Sequence, residues 1–174
     1  ARGVACCTLL QVLGRRPLAP PARGPLLVGR AVLGCALVAL AAKGGVDAVS
    51  TRLAYPRIAE LPFDAAYKLM ATFHAMTDES GHDVVRCYIK GAPDQLLTRA
   101  GTVFDVDRGN VALDDDARTR FQAENERLAA QGLRVLATAR KDLDPATFDP
   151  SADLLTAIEG AELLALVGIV DPPR

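Results

Sequence analysis

Apolar positions along the chain recur at two periods, and the switch from one to the other marks off the predicted elements. Val84-Val85-Arg86-Cys87-Tyr88-Ile89 alternates and is rich in β-formers, which predicts a strand. Gly91 and Pro93 end it, and Pro93 is placed as the first residue of a helix through Gln95-Leu96-Leu97. Lys90 is therefore held at a strand end by rigid punctuation. Upstream, residues 57–64 read as a short strand stopped near Pro62, and residues 68–76 as a second strand. The polar, glycine-containing stretch 77–83 is too short for a parallel crossover, so the strands on either side of it pair as an antiparallel hairpin.

Further along, Val103-Phe104-Asp105 and Val111-Ala112-Leu113 flank a turn at residues 107–110. Asp114 has the place of a helix N-cap, with Asp115 and Asp116 in the positive first turn. That helix runs to about Gln131 with Ala117, Phe121, Glu124 and Leu128 on one side, and Gly132 stops it. Residues 133–139 resume a strand, a loop with Pro145 and Pro150 follows, and residues 163–170 form a last apolar run. Antiparallel hairpins interleaved with helices predict an α+β fold, an antiparallel β-sheet flanked by helices. A doubly wound parallel sheet would need regular βαβ spacing, which the pattern lacks.

Composition narrows the function classes. The 174 residues suffice for one large domain or two small ones with a buried core. Half the residues are apolar and the formal charge is −1, which speaks against disorder and against a nucleic-acid-binding charge excess. Aromatic residues make up 5% and Trp is absent, which argues against a stacking platform for single strands. Cys6, Cys7, Cys35 and Cys87 show no zinc-type spacing, and reduced thiols in a cytosolic setting are expected.

Charge is unevenly spread. The first 46 residues hold no Asp or Glu, while Arg2, Arg15, Arg16, Arg23, Arg30 and Lys43 are basic. This start, with Pro17, Pro20, Pro21 and Pro25, has a transit-like or signal-like composition. The apolar run 31–42 is too short for a bilayer, which needs about 20 residues, so it is expected as a buried helix ending at Lys43-Gly44-Gly45.

No phosphate-binding glycine loop, HExxH or GxSxG motif is present, and no nucleophile–base pair is recognisable. The Asp114–Asp116 cluster reads as helix capping rather than a cation site, because Ca²⁺ usually needs about six or more spaced oxygens. His74 reads as an ordinary sheet histidine and His82 as a solvated turn residue.

Four stretches carry more information together than apart: LPFDAAYKLMATFH (61–74), CYIKGAPDQLL (87–97), AAQGLRVLATA (129–139) and LALVGIVDPPR (164–174). In order and approximate spacing they resemble the nucleotide-binding domain of P-type cation-transporting ATPases, nearest to the calcium, sodium and general-cation branch. The Ala/Arg/Leu richness hints at a bacterial source. The resemblance covers residues from about 36 to 174.

It implies that Lys90 lies in an adenine pocket, followed by Gly91 of the KGAP corner, with Phe63 as the ring on which adenine stacks. Lys68 matches a pocket lysine, Met70 and Leu136 apolar walls, and Arg134 the arginine that reaches the phosphates. Stacking on one ring contributes about 1–3 kcal/mol, and a cation beside phosphate adds about 1.5–3 kcal/mol. Solvation and entropy offset much of this, so ATP affinity on the order of 0.1–1 mM is expected.

Taken singly, each residue has a plainer explanation. Phe63, Met70 and Leu136 could be core, and Lys68 and Lys90 edge charges. Arg134 in an apolar strand would need an anionic partner. Their joint occurrence favours the site.

Two departures stand out. The family's acidic motif before the first long helix has no counterpart in GRAVLGCALVAL (29–40), and Ala65 replaces an arginine found in some relatives. The expected division is an atypical basic segment at 1–35, a nucleotide-binding domain at 36–170 and a hinge toward the phosphorylation domain at 171–174. The phosphorylatable DKTGT motif is absent and no transmembrane helix is visible, so the chain resembles an excised module. It would hold ATP or ADP, with Mg²⁺ carried by the nucleotide, and would not accept the phosphate. Its partners would be the phosphorylation and actuator domains of the same polypeptide, with no nucleic acid. It would lie in the cytosol, joined to the membrane only through a missing transmembrane domain. The alternative is a stand-alone binding or regulatory module with a degenerate nucleotide site.

Overall fold

A computed structural model describes residues 31–105 and 107–170, with side chains in the first helix described from Leu37 onward. Expectations for residues 1–30 and for the hinge at 171–174 lie outside the described residues. The described residues begin with α1 (Ala31–Lys43) and α2 (Ala48–Ala54), then β1 (Arg57–Asp64), β2 (Leu69–Thr77) and β3 (Asp83–Gly91). After α3 (Pro93–Arg99) come β4 (Ala100–Asp105), β5 (Gly109–Ala112), α4 (Asp115–Ala130), β6 (Arg134–Leu143), α5 (Leu154–Ala157) and β7 (Ala161–Ile169). One seven-stranded sheet results, in the order β1-β2-β3-β6-β7-β4-β5. No described helix is long and apolar enough to cross a membrane.

The α+β architecture follows the sequence pattern, with one difference in strand direction. Five neighbouring pairs are antiparallel, but β4 and β7 run parallel, so the sheet is mixed. Both strands start directly beyond a helix on the same side of the sheet. The Gly160 N–H donates to the Arg99 carbonyl at 2.8 Å, which ties the two starts together and sets Ala100 beside Ala161.

Strand alternation sorts side chains onto two faces. Leu69, Ala71 and Phe73 of β2, Val85, Cys87 and Ile89 of β3, and Ala137 and Ala139 of β6 are buried on one of them. There they form a core with Leu96 and Leu97 of α3, Leu128 of α4, and Ile158. Phe73 is fully buried and stacks on Phe148 with ring centroids 5.2 Å apart. Burying each such large side chain contributes roughly 1.5–3 kcal/mol. Burial of the Cys87 thiol here pushes its pKa up to about 12, which keeps it protonated and unreactive.

The predicted capping is present in α4. Asp114 Oδ1 accepts the Ala117 N–H at 2.7 Å, and Gly132 adopts φ 73° just past the end. Ala117 and Leu128 are buried, and Phe121 and Glu124 are half-buried between them.

Three local expectations change. Strand β1 continues through Pro62, which an edge strand tolerates because its N–H side needs no partner. Residues 48–54, expected from their polar composition to be a connector, instead form α2, because the Asp47 carboxylate accepts the Val49 N–H at 2.9 Å as an N-cap. The described part of α1 is not buried: Val38 is 38% exposed and Leu37 is half-buried. An apolar helix without acids shows no preferred face in its sequence, and only tertiary contacts decide which side is covered.

At the end of β3 the backbone of β2 comes very close. A Cβ built on Gly91 would lie 2.5 Å from the Leu69 Cβ and 2.7 Å from the Lys68 carbonyl oxygen. Gly91→Ala is therefore expected to destabilise the chain by about 1–3 kcal/mol, since an added methyl has nowhere to go. Urea denaturation checks this. An unchanged midpoint would mean the two strands can separate freely.

Candidate functional site

The face of the sheet away from the main core carries three cross-strand rows. Met70, Lys90 and Thr138 lie side by side, then Thr72, Tyr88 and Arg140, then His74, Arg86 and Asp142. A cavity of about 330 Å³ opens over the first two rows. Its apolar side chains are Leu37 of α1, Met70 and Leu164, its polar groups are Arg57, Thr72, Tyr88, Lys90 and Thr138, and Ile89 and Ala139, whose side chains belong to the core on the other face, complete its lining.

Electrostatics separate Lys90 from the other cations on this face. Arg86 is 6% exposed and grips Asp142 with two bonds of 2.7 Å, with Glu79 at 3.2–3.3 Å. These carboxylates, Asp142 first, hold its proton more tightly than usual. Arg140 Nε donates to Glu162 at 2.6 Å, and Arg57 pairs with Glu60. Lys90 is half-buried and has no carboxylate or hydrogen-bond partner among the described residues. Burial pushes its pKa down, and the nearby Arg57 charge pushes it the same way.

The corner that aims Lys90 is fixed from two sides. Gly91 is buried against Leu69, and the Ala92 N–H donates to the Lys68 carbonyl at 3.0 Å. Lys68 closes the β1–β2 turn in the left-handed region at φ 49°, unusual for a non-glycine residue. Its N–H donates to the Asp64 carbonyl at 2.8 Å.

Of the seven residues singled out from sequence, Met70 and Lys90 line the cavity together. Phe63, Lys68, Gly91, Arg134 and Leu136 do not line it. All seven nevertheless lie at one end of the sheet, where β1 and β3 finish and β2 and β6 begin. Phe63 is 57% exposed, at an irregularity in the β1–β2 register. Leu136 is buried two positions before Thr138, on the same face. Arg134 is exposed rather than buried, because it is the first residue of β6 and its side chain can reach solvent. His74 accounts for its polar ring within the sheet, with Nδ1 2.9 Å from the Tyr55 carbonyl and Nε2 3.1 Å from the Thr72 hydroxyl.

Arg57, Thr72, Tyr88 and Thr138 were not singled out from sequence. Alternation was the available signal: Thr72 shares a face with Met70, Tyr88 with Lys90, and Thr138 with Leu136. No group of three or more His, Cys, Asp or Glu placed to hold a metal occurs among the described residues.

An unpartnered, half-buried ammonium costs stability. With its folded-state pKa depressed, folding is disfavoured while the lysine is charged in both states, and is recovered as pH rises through the folded pKa toward the ordinary lysine value. Lys90→Met is accordingly expected to keep or raise the urea midpoint at pH 7 and to remove that alkaline rise in stability. A lower midpoint at pH 7 would contradict this description of the lysine.

The family model described as P-type ATPase, cytoplasmic domain N, matches residues 28–174. The cation-transporting ATPase pma1 of Synechocystis sp. is 35% identical over 139 residues, which are 80% of this chain and 14% of that protein. Calcium-transporting ATPase 1 of Lactococcus lactis is also 35% identical over 139 residues, 80% of this chain and 15% of that protein. Calcium-transporting ATPase type 2C member 1 of Mus musculus is 34% identical over 152 residues, 87% of this chain and 14% of that protein. The chain thus spans only 14–15% of the length of these curated relatives. With a family match over most of its length and a mixed sheet flanked by helices, the chain belongs to the P-type ATPase cytoplasmic domain N family.

Proposed function

We propose that residues 36–170 form the nucleotide-binding domain of a cation-transporting P-type ATPase, located in the cytosol and linked to the membrane by other parts of the same polypeptide. The domain holds ATP and presents its γ-phosphate to an aspartate on a phosphorylation domain. Its own contribution is positioning, which raises the effective concentration of the reacting groups and fixes their alignment. Mg²⁺ arrives with the nucleotide and neutralises phosphate charge there.

The observation that carries this reading is Lys90: a half-buried cation with no acid partner among the described residues, lining a cavity beside Met70 and Tyr88. Such a group is stabilised when an electron-rich ligand replaces its lost water. Met70 and Tyr88 suit the flat, apolar base, and the cavity volume falls within the usual range for small-molecule sites. Phe63 and Lys68, exposed at the same end of the sheet, are placed to meet parts of the nucleotide that extend beyond the cavity. Arg134, at the start of β6, is proposed to reach the phosphates, with Gly91 and Leu136 supporting the strands beneath.

Phe63→Ala and Lys90→Ala are each expected to weaken ATP binding several-fold without unfolding the chain, because neither side chain belongs to the main core. Titration followed by NMR or fluorescence checks this, and equal affinity in both variants would remove the two residues from the site. A chain that binds neither ATP nor ADP at millimolar concentration would instead be the stand-alone module with a degenerate site.

A further inference from the structure

His74 stands in the row next to the cavity, on the same face of β2 as Met70 and Thr72. It does not line the cavity, yet both ring nitrogens are engaged, and one of them meets a lining residue. Nδ1 lies 2.9 Å from the Tyr55 carbonyl oxygen, and Nε2 lies 3.1 Å from the Thr72 hydroxyl. The ring also packs edge-on against Tyr88, a second lining residue, with centroids 5.9 Å apart.

These contacts fix where the protons sit in the neutral ring. A carbonyl oxygen only accepts, so Nδ1 must carry the hydrogen and donate it to Tyr55. A neutral imidazole has a single N–H, so Nε2 keeps its lone pair and must accept. Thr72 therefore donates its hydroxyl proton to Nε2. A hydroxyl has one hydrogen to give, and with that hydrogen spent on His74 the Thr72 oxygen meets a ligand as an acceptor.

The group that selects this tautomer is itself held in place. Tyr55 is the C-cap of α2, and its N–H donates to the Thr51 carbonyl at 3.0 Å. His74 is set in register between Arg57 of β1 and Arg86 of β3. Without an acceptor at Nε2 the Thr72 hydroxyl would rotate among several directions, and orienting it before the ligand arrives removes that cost from binding.

We propose that His74 is a positioning residue of the nucleotide site, which turns the Thr72 hydroxyl so that its oxygen faces the ligand as a hydrogen-bond acceptor. The inference rests on the nucleotide reading above and adds to it a residue that acts on the ligand only through another side chain. An acceptor on the cavity wall suits an N–H of the ligand, and the amino group of adenine is the donor that ATP carries on its base.

Two measurements on the 174-residue chain decide this. Nitrogen NMR at about pH 8, where histidine is ordinarily neutral, is expected to show His74 protonated at Nδ1. His82 is the only other histidine, and His74→Gln assigns the signals. A neutral ring protonated at Nε2 would overturn the proposal. Titration with the magnesium complex of ATP then completes a double-mutant cycle. Thr72→Val and His74→Leu are each expected to weaken binding about three- to tenfold, the size of one lost neutral hydrogen bond. Once residue 72 is valine, His74→Leu is expected to weaken binding no further. His74→Gln is expected to bind ATP as the parent does, because its side-chain oxygen can take the same hydroxyl proton. Additive losses in the cycle would mean that His74 acts on the site by another route, and they overturn the proposal. So does a Thr72→Val variant that binds as tightly as the parent, or a His74→Gln variant that binds several-fold more weakly. If the parent chain binds no ATP at millimolar concentration, the nucleotide reading fails and the positioning role fails with it.

Discussion

The close approach of β3 to β2 at Gly91 is the constraint on which the site depends. A strand end normally frays, and a lysine there would sample many directions. Here Gly91 lies against Leu69, itself fully buried, and the next N–H is bonded to the Lys68 carbonyl. Pro93 then opens α3 with its fixed φ, so the chain turns away within two residues of Gly91. The backbone under Lys90 is thus held on both sides, and the direction of its stem follows from the pleat of the strand. Lys68 contributes through a left-handed backbone that costs on the order of 1–3 kcal/mol unless its surroundings compensate.

Charge on the same face is divided between two tasks. Arg86 and Arg140 lie toward the far rows, and both are satisfied by Asp142, Glu79 and Glu162. These pairs join β3, β6, β7 and the loop before β3, and losing an acid would leave a nearly buried guanidinium exposed to the full cost of desolvation. Lys90 lies one row from Arg140 and two from Arg86. On this sheet face the two arginines are paired, while Lys90 has no acid among the described residues. The main core on the opposite face supplies the stability that permits it.

Much of this was legible in the chain. Strands β2, β3 and β6 follow from alternation, α4 from Asp114 and Gly132, and the α3 start from Pro93, because these are local rules that tertiary context reinforced. Helix α2 was not anticipated, since a single N-cap at Asp47 stabilises a helix that has no buried residue and leaves no periodic signature. The parallel β4–β7 pair was equally hidden, because nothing in either strand records which distant neighbour it will meet. Lys90 and Met70 were found through a motif, whereas Thr138 and Tyr88 join them only through the β3–β6 pairing. That pairing sets Lys90 opposite Thr138, nearly fifty positions along the chain. Sequence supplies the face of each strand, and register supplies the neighbours.

Core and cavity are consequently one problem in pairing. Because side chains alternate strictly along a strand, the register that buries Ile89 beside Ala71 and Ala139 also sets Lys90 beside Met70 and Thr138. A slip by one residue would turn Lys90 into the core and Ile89 toward solvent. The apolar face forbids that slip at a cost of several buried side chains, each worth roughly 1.5–3 kcal/mol. Precision at the cavity therefore needs no dedicated scaffold of its own. It is inherited through the pleat from the core on the opposite face.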